Sequence, residues 1–355
     1  VNWNLSSLVR PHLLTLTPYS SARDEYTGRE GVFLDANENP IGSTTAVAVN
    51  RYPDPYQAAI KEKLAPLKGV RPGQIFLGNG SDEPIDLLTR AFCEPGTAEH
   101  VILTPPTYGM YEVSAHVNHV GVEKVPLTPD FQLDTDALLA TVEPSTKLVW
   151  LCTPNNPTGN MLARADLLRV VEAVNCLVVV DEAYIDFAPE TTLLPELDAH
   201  PNLVVLQTFS KAWGLAGLRV GMAFGSEELV RLLNKIKPPY NLNVLTQQHL
   251  LTALDNVAQK DEMVRQLLAN RENLRAALAE LPIVERVFPS DSNQLLVRFR
   301  DARAVFAYLL AEKVIVRDRS KVTLCDNCLR ISVGTAEEDD RLLELLAEFA
   351  AVAVG

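Results

Sequence analysis

Residues 176–184 read CLVVVDEAY and residues 203–211 read LVVLQTFSK. Each is an unbroken apolar run that ends on polar groups. Neither alternates apolar with polar residues, and such a run is what a strand buried on both faces requires. Upstream, KLVWLCT (147–153) and HVILT (100–104) have the same form. Between KLVWLCT and CLVVVDEAY, ARADLLRVVEAV (163–174) sets Leu167, Leu168, Val170, Val171 and Val174 on one side of a helix. Strand, helix and strand in this rhythm predict an α/β fold with a mainly parallel sheet and helices on both faces.

Outward from this centre the pattern changes. From about Val244 to Leu281 it is helical almost without a break; NQLLVRF (293–299) and CLRISVG (328–334) then read as strands, followed by a helix at 337–350. This predicts a smaller α+β domain reached along a long connecting helix. The expected division is an N-terminal segment 1–30 crossing between domains or subunits, a large domain 31–250, and the connecting helix with a small C-terminal domain 251–355. A chain of 355 residues suits about two such units.

Composition narrows the function. A net charge of −13, with no run of Lys or Arg, disfavours nucleic acid as a partner. The apolar residues of LVRPHLLTLTPY (8–19) are broken by Arg10, Pro11 and His12, and nothing later reaches the roughly 20 residues of a membrane span. Five scattered cysteines do not make a disulfide framework. The expectation is a soluble, cytoplasmic protein with no membrane partner.

In an open parallel sheet, ligands sit beyond the carboxyl ends of the strands. Pro154-Asn155-Asn156-Pro157-Thr158-Gly159 follows the first of the central runs, Asp181 and Tyr184 the second, and Ser210 and Lys211 the third. Singly these have ordinary readings: a turn, a helix cap, a solvated lysine. Together they form the set that pyridoxal-phosphate chemistry asks for. A lysine amine is nucleophilic only when its surroundings lower its pKa, and Lys211 just past a buried strand meets that need. The cofactor withdraws electrons only while its pyridine nitrogen keeps a proton, which calls for a carboxylate, and Asp181 is the candidate. Tyr184 and Asn156 are candidates to donate to the ring oxygen.

The cofactor phosphate needs a seat of its own. LGNGSDEPIDLLTRAFC (77–93) reads as a glycine turn at Gly78 to Gly80, an N-cap at Ser81 and an amphipathic helix with Pro84 in its first turn. Backbone N–H groups at such a start bind phosphate; plain capping, with Asp82 and Glu83 favoured by the helix dipole, is the alternative. A dinucleotide-binding turn is excluded, because a third glycine is missing after Gly80. Cys325-x-x-Cys328 and His116-x-x-His119 have no second ligand pair near them, so no metal site is expected. Trp3, Trp150 and Trp213 read as packing residues.

At the level of whole motifs, TFSKAWGLAGLRVGMAFG (208–225) resembles the Schiff-base lysine segment of the class I aminotransferases. LDANENP (34–40), RYPDPY (51–56), GNGSDEPIDLL (78–88), PPTYGMY (105–111), NNPTG (155–159) and VVVDEAYIDF (178–187) follow in that family's order. Within the class, LTPYSSAR (16–23), RYPDPY, PPTYGMY, VIVRDRS (314–320) and CLRISVG are most similar to the histidinol-phosphate aminotransferase group. The resemblance implies a fold type I homodimer with shared active sites, Lys211 carrying the cofactor, and Ser210 and Arg219 on its phosphate with Gly80, Ser81 and Asp82. It also implies Tyr108 stacked on the ring, Tyr52 reaching the phosphate of the neighbouring subunit, and Tyr19, Asn156, Arg317 and Arg330 facing the substrate. The implied reaction exchanges an amino group between histidinol phosphate and 2-oxoglutarate. Threonine-phosphate decarboxylases and aromatic amino acid aminotransferases of the same fold are the neighbouring alternatives. A regulatory module that merely binds the cofactor is disfavoured, since residues 1–30 are too short and insufficiently basic to bind DNA.

Overall fold

The structure, a computed structural model, describes residues 3–19 and 31–354. Residues 20–23 of the LTPYSSAR motif lie outside the described residues. The predicted strands form one seven-stranded sheet: β1 (Ile75–Asn79), β2 (His100–Leu103), β3 (Gly121–Lys124), β4 (Thr146–Cys152), β5 (Leu177–Asp181), β6 (Leu203–Thr208) and β7 (Val220–Phe224), in the spatial order β1-β7-β6-β5-β4-β2-β3. The pairings from β3 through β6 are parallel, and β7 is antiparallel to both β6 and β1. Every residue of β5, β6 and β7 is buried. The two faces feed separate cores, with Val178 and Val180 in one and Leu177 and Val179 in the other. This is the reason the runs do not alternate: both faces carry apolar side chains, each fully buried Val or Leu contributing about 1.5–3 kcal/mol.

Because β7 reverses direction against β6 and β1 reverses against β7, β1 ends on the same rim as β4, β5 and β6. Register then fixes neighbours on that rim. Cys152 at the end of β4 lies beside Asp181 at the end of β5, and Thr208 at the end of β6 lies beside Gly221.

A second sheet contains β8 (Val284–Val287), β9 (Gln294–Phe299), β10 (Arg317–Asp318) and β11 (Cys328–Ser332), in the order β10-β11-β9-β8 with antiparallel pairing throughout. Its core includes Leu295, Val297, Leu329 and Ile331, together with Leu274 and Leu278 of the helix Val257–Ala279 and Leu345 of the helix Ala336–Val354. The helical stretch predicted from Val244 is interrupted once, between the helices Val244–Ala253 and Val257–Ala279. Loop contacts tie the two sheets: Asp291 N–H donates to the Gly159 carbonyl at 2.8 Å, and Met161 N–H donates to Asp291 Oδ2 at 2.8 Å. No helix among the described residues is long and apolar enough to cross a membrane.

Candidate active site

A cavity of about 390 Å³ opens where the rim of the large sheet meets the small one. It is lined by Ser81, Asp82, Tyr108, Asn156, Asp181, Tyr184, Ser210, Lys211, Arg219, Arg317 and Arg330 from the sequence reading, and by Cys152, Thr208 and Arg319 in addition.

Asp181 anchors its floor. It is 2% exposed; its Oδ2 accepts from the Tyr111 hydroxyl at 2.5 Å and its Oδ1 from the Ala183 N–H at 3.0 Å. Burial pushes its carboxyl up to about 6, against the opposing pull of those two donors. Asp181 therefore does not serve as a helix cap: it is a desolvated carboxylate facing a cavity. Tyr111 was missed by the sequence reading. It is fully buried, stacked on Trp150 with ring centroids 4.8 Å apart and set edge-on to Tyr108 at 5.6 Å. Tyr111→Phe is expected to cost about 1.5–3 kcal/mol of stability at pH 8, the worth of a hydrogen bond to a charged group. The loss should shrink below pH 6, where Asp181 becomes neutral, and urea melts at pH 8 and pH 5 measure both values. An equal loss at the two pH values would show that Tyr111 contributes packing alone.

Lys211 reaches the open cavity with its Nζ 5.5 Å from the centre of the Tyr184 ring. Its pKa is lowered, first by desolvation and then by Arg330. Tyr184 is buried and its hydroxyl pKa is raised chiefly by that burial. Asn156 accepts from Arg330 Nη1 at 2.7 Å through its amide oxygen, which leaves the amide N–H groups to point elsewhere in the cavity. Glu182, next to Asp181, turns away into the protein. Burial pushes it up to about 7, and it accepts from Thr192 Oγ1, Leu193 N–H and Gln207 Nε2.

The predicted phosphate seat differs in detail from its sequence reading. Gly78 is a strand residue, and the turn is made by Gly80 alone, at φ +75°. Ser81 precedes the helix Asp82–Phe92 as expected, yet its side chain makes no capping bond. Asp82 holds its neighbours: its carboxylate accepts from Tyr108 Oη at 3.2 Å and from Arg219 Nη2 at 3.2 Å. Gly221 is a requirement the sequence reading overlooked, because a Cβ there would run into the backbone of Gly80 and Ser81.

Gly80 is not among the residues that line the cavity, and two predicted side chains do not enter it within one chain. Tyr52 is 50% exposed and stacks on Tyr240 at 4.4 Å, and Tyr19 is 74% exposed in a separate hollow with Tyr56 and Lys235. Cys325 and Cys328 are buried free thiols. No group of three or more His, Cys, Asp or Glu among the described residues is placed to hold a metal.

The cavity thus unites an amine of lowered pKa, a buried carboxylate, a phenol, an amide and a helix start with open backbone donors. The sequence profile of the family described as aminotransferase class I and II matches residues 31–346. The chain belongs to the class I and II aminotransferase family. This aminotransferase is 54% identical over 347 residues to a protein of Cytophaga hutchinsonii named histidinol-phosphate aminotransferase, covering 98% of this chain and 99% of that one. It is 50% identical to a protein of the same name from Bacteroides fragilis, over 97% and 99% of the two chains. Among solved structures it resembles the histidinol-phosphate aminotransferase of Sinorhizobium meliloti in complex with pyridoxal-5'-phosphate. The TM-score is 0.80 at 25% identity, covering 96% of this aminotransferase and 97% of that chain.

Proposed function

We propose that this aminotransferase uses pyridoxal phosphate to exchange an amino group between L-histidinol phosphate and 2-oxoglutarate, giving imidazole acetol phosphate and glutamate in histidine biosynthesis. The observation that carries the reading is one cavity joining Lys211, Asp181, Tyr184 and Asn156 to the cluster Arg317, Arg319 and Arg330. The residues fit the cofactor on their own terms. Asp181 is a buried carboxylate, pushed up to about 6, that a cationic ring nitrogen would relieve. The start of the helix Asp82–Phe92, with Ser81, Ser210, Arg219 and the turn at Gly80, offers donors to a phosphate.

When bound, pyridoxal phosphate supplies an electron sink for the carbon that carries the amino group. Lys211 would hold the cofactor; once displaced by the substrate amine, its Nζ, whose pKa desolvation and then Arg330 lower, would carry the proton from that carbon to the cofactor carbon beyond the amino nitrogen. Asp181 would keep the ring nitrogen charged. Tyr184 and Asn156 would donate to the ring oxygen, and Tyr108 would cover the ring face. Arg330, tethered to Asn156 by Nη1, turns its remaining N–H groups to a substrate anion. The reading extends to a cytoplasmic homodimer in which Tyr52 and Tyr19 complete a shared site. It also takes 31–250 as the cofactor domain and 251–355 as the domain that closes over the substrate.

The test is glutamate release across histidinol phosphate, phenylalanine, tyrosine and phosphothreonine with and without 2-oxoglutarate. The expected result is acceptor-dependent exchange fastest with histidinol phosphate. Carbon dioxide released without an acceptor would make the chain a lyase, and a preference for tyrosine or phenylalanine would move it to the aromatic enzymes. Arg330→Lys is expected to weaken both half-reactions. Arg330→Ala and Arg317→Ala are expected to cost about 2–3 kcal/mol more with histidinol phosphate than with histidinol, read as kcat/KM.

A further inference from the structure

β10 and β11 set Arg317 directly opposite Arg330. Alternation puts Arg319, two residues on, on the face that carries Arg317. The pairing continues past the last strand residue, since Arg319 N–H donates to the Cys328 carbonyl at 2.9 Å. The Arg319 side chain therefore leaves the ribbon about 7 Å along from Arg317. All three arginines line the cavity.

This end of the cavity is short of negative charge. Five basic residues line the cavity, against Asp82 and Asp181, in a chain whose overall charge is −13. No described carboxylate lies within 4.0 Å of a nitrogen of Arg317, Arg319 or Arg330. The nearest in sequence, Asp318, accepts from Ser320 N–H instead. The Nε–H groups of Arg319 and Arg330 are both buried without a hydrogen-bond partner. Each such donor is desolvated without compensation until an acceptor arrives. Burial and the two neighbouring arginines both act against the charge on Arg319. A single carboxylate facing Arg330 leaves the other two guanidinium groups unanswered. A phosphate ester carries about −1.5 to −2 charges and three acceptor oxygens, enough for both.

We infer that Arg319 is a third anion contact of the substrate site, aimed at the phosphate of a phosphorylated amino substrate, and a determinant of the preference for it. The inference rests on the proposed substrate for its physiological meaning, and on the arginine geometry alone for the contact itself.

The experiment uses the holoenzyme as wild type, Arg319→Gln and Arg319→Lys. Three quantities are measured: kcat/KM for histidinol phosphate, kcat/KM for glutamate, and the inhibition constant of inorganic phosphate against the glutamate half-reaction. Arg319→Gln is expected to lower kcat/KM for histidinol phosphate at least about tenfold more than for glutamate, and to raise the phosphate constant by about tenfold. Arg319→Lys, which keeps the charge and loses the fork, should fall between. Equal losses for both substrates, or an unchanged phosphate constant, would overturn the inference and mark Arg319 as a support for the 319–328 turn. Wild type that ignores histidinol phosphate, with a phosphate constant that still rises in Arg319→Gln, would sink the proposed substrate and uphold the contact. Should Arg319→Gln fail to fold by its melting curve, the same ratio in Arg319→Lys decides.

Discussion

Lys211→Ala is expected to reduce turnover by about 10⁴-fold or more, because on the proposed mechanism it removes at once the nucleophile that would hold the cofactor and the base that would move the proton. The variant should still fold. Lys211 reaches open cavity and forms no ion pair within 4.0 Å with a described carboxylate, so the core loses little when it is shortened. The decisive measurement is borohydride reduction followed by intact mass. Wild type should gain the mass of one covalently linked cofactor, and the alanine variant none. A cofactor adduct that persists on the variant without added substrate would identify another lysine, and the assignment built on strand β6 would fall with it.

Asp181→Asn carries the second large effect, with opposite signs in the loaded and the empty protein. In the loaded enzyme it deletes one partner of a buried ion pair, which costs about 3–5 kcal/mol and so roughly 10²–10⁴ in rate. In the empty protein the carboxyl has a pKa raised from 3.8 to about 6, so folding opposes its ionisation. Below pH 4 both folded and unfolded states are protonated and the group costs nothing. Between pH 4 and pH 6 the unfolded state ionises first and stability falls. Above pH 6 the full penalty of about 3 kcal/mol stands. The asparagine variant, free of that penalty, should be the more stable apoprotein at pH 8 and lose its advantage near pH 4. Urea melts of both apoproteins at the two pH values give the comparison. An asparagine variant that is less stable at pH 8 would mean that Asp181 serves the fold rather than the cofactor.

The residues read from the strand pattern, as opposed to the family resemblance, share one property: each follows within a few residues of an apolar run. A buried strand announces itself by losing alternation, and the first polar groups after it must emerge on the rim. Lys211, Asp181, Tyr184 and Asn156 were found this way. Tyr111 could not be, because an aromatic residue in the short helix Met110–Val117 reads as ordinary core until its hydroxyl is seen against Asp181. Cys152 is hidden inside its own run and reaches the cavity only through register with Asp181. Gly221 matters because two backbones pass too closely for a side chain, which no local pattern reports. Arg319 is different: its spacing of two from Arg317 is a same-face signal that was present in VIVRDRS. Tyr19 and Tyr52 stand outside the cavity of their own chain, and their predicted roles depend on a second copy.

The hydrogen bond from Arg330 to Asn156 joins groups of different origin. Within one chain, the cavity groups offered to the cofactor in the proposed arrangement come from residues 81–219, and every arginine offered to the substrate comes from residues 317–330. Chemistry and recognition are thus held on separate pieces of the chain, and the ribbon that carries recognition is a two-residue edge strand with its partner. On that arrangement, changes in the ribbon at positions other than Arg330, which also lowers the Lys211 pKa, would alter which amine is accepted while sparing the reaction machinery, so new specificities would be open to this scaffold through few mutations. Asn156 and its partner Arg330 are the exceptions, since a change at either is felt on both sides.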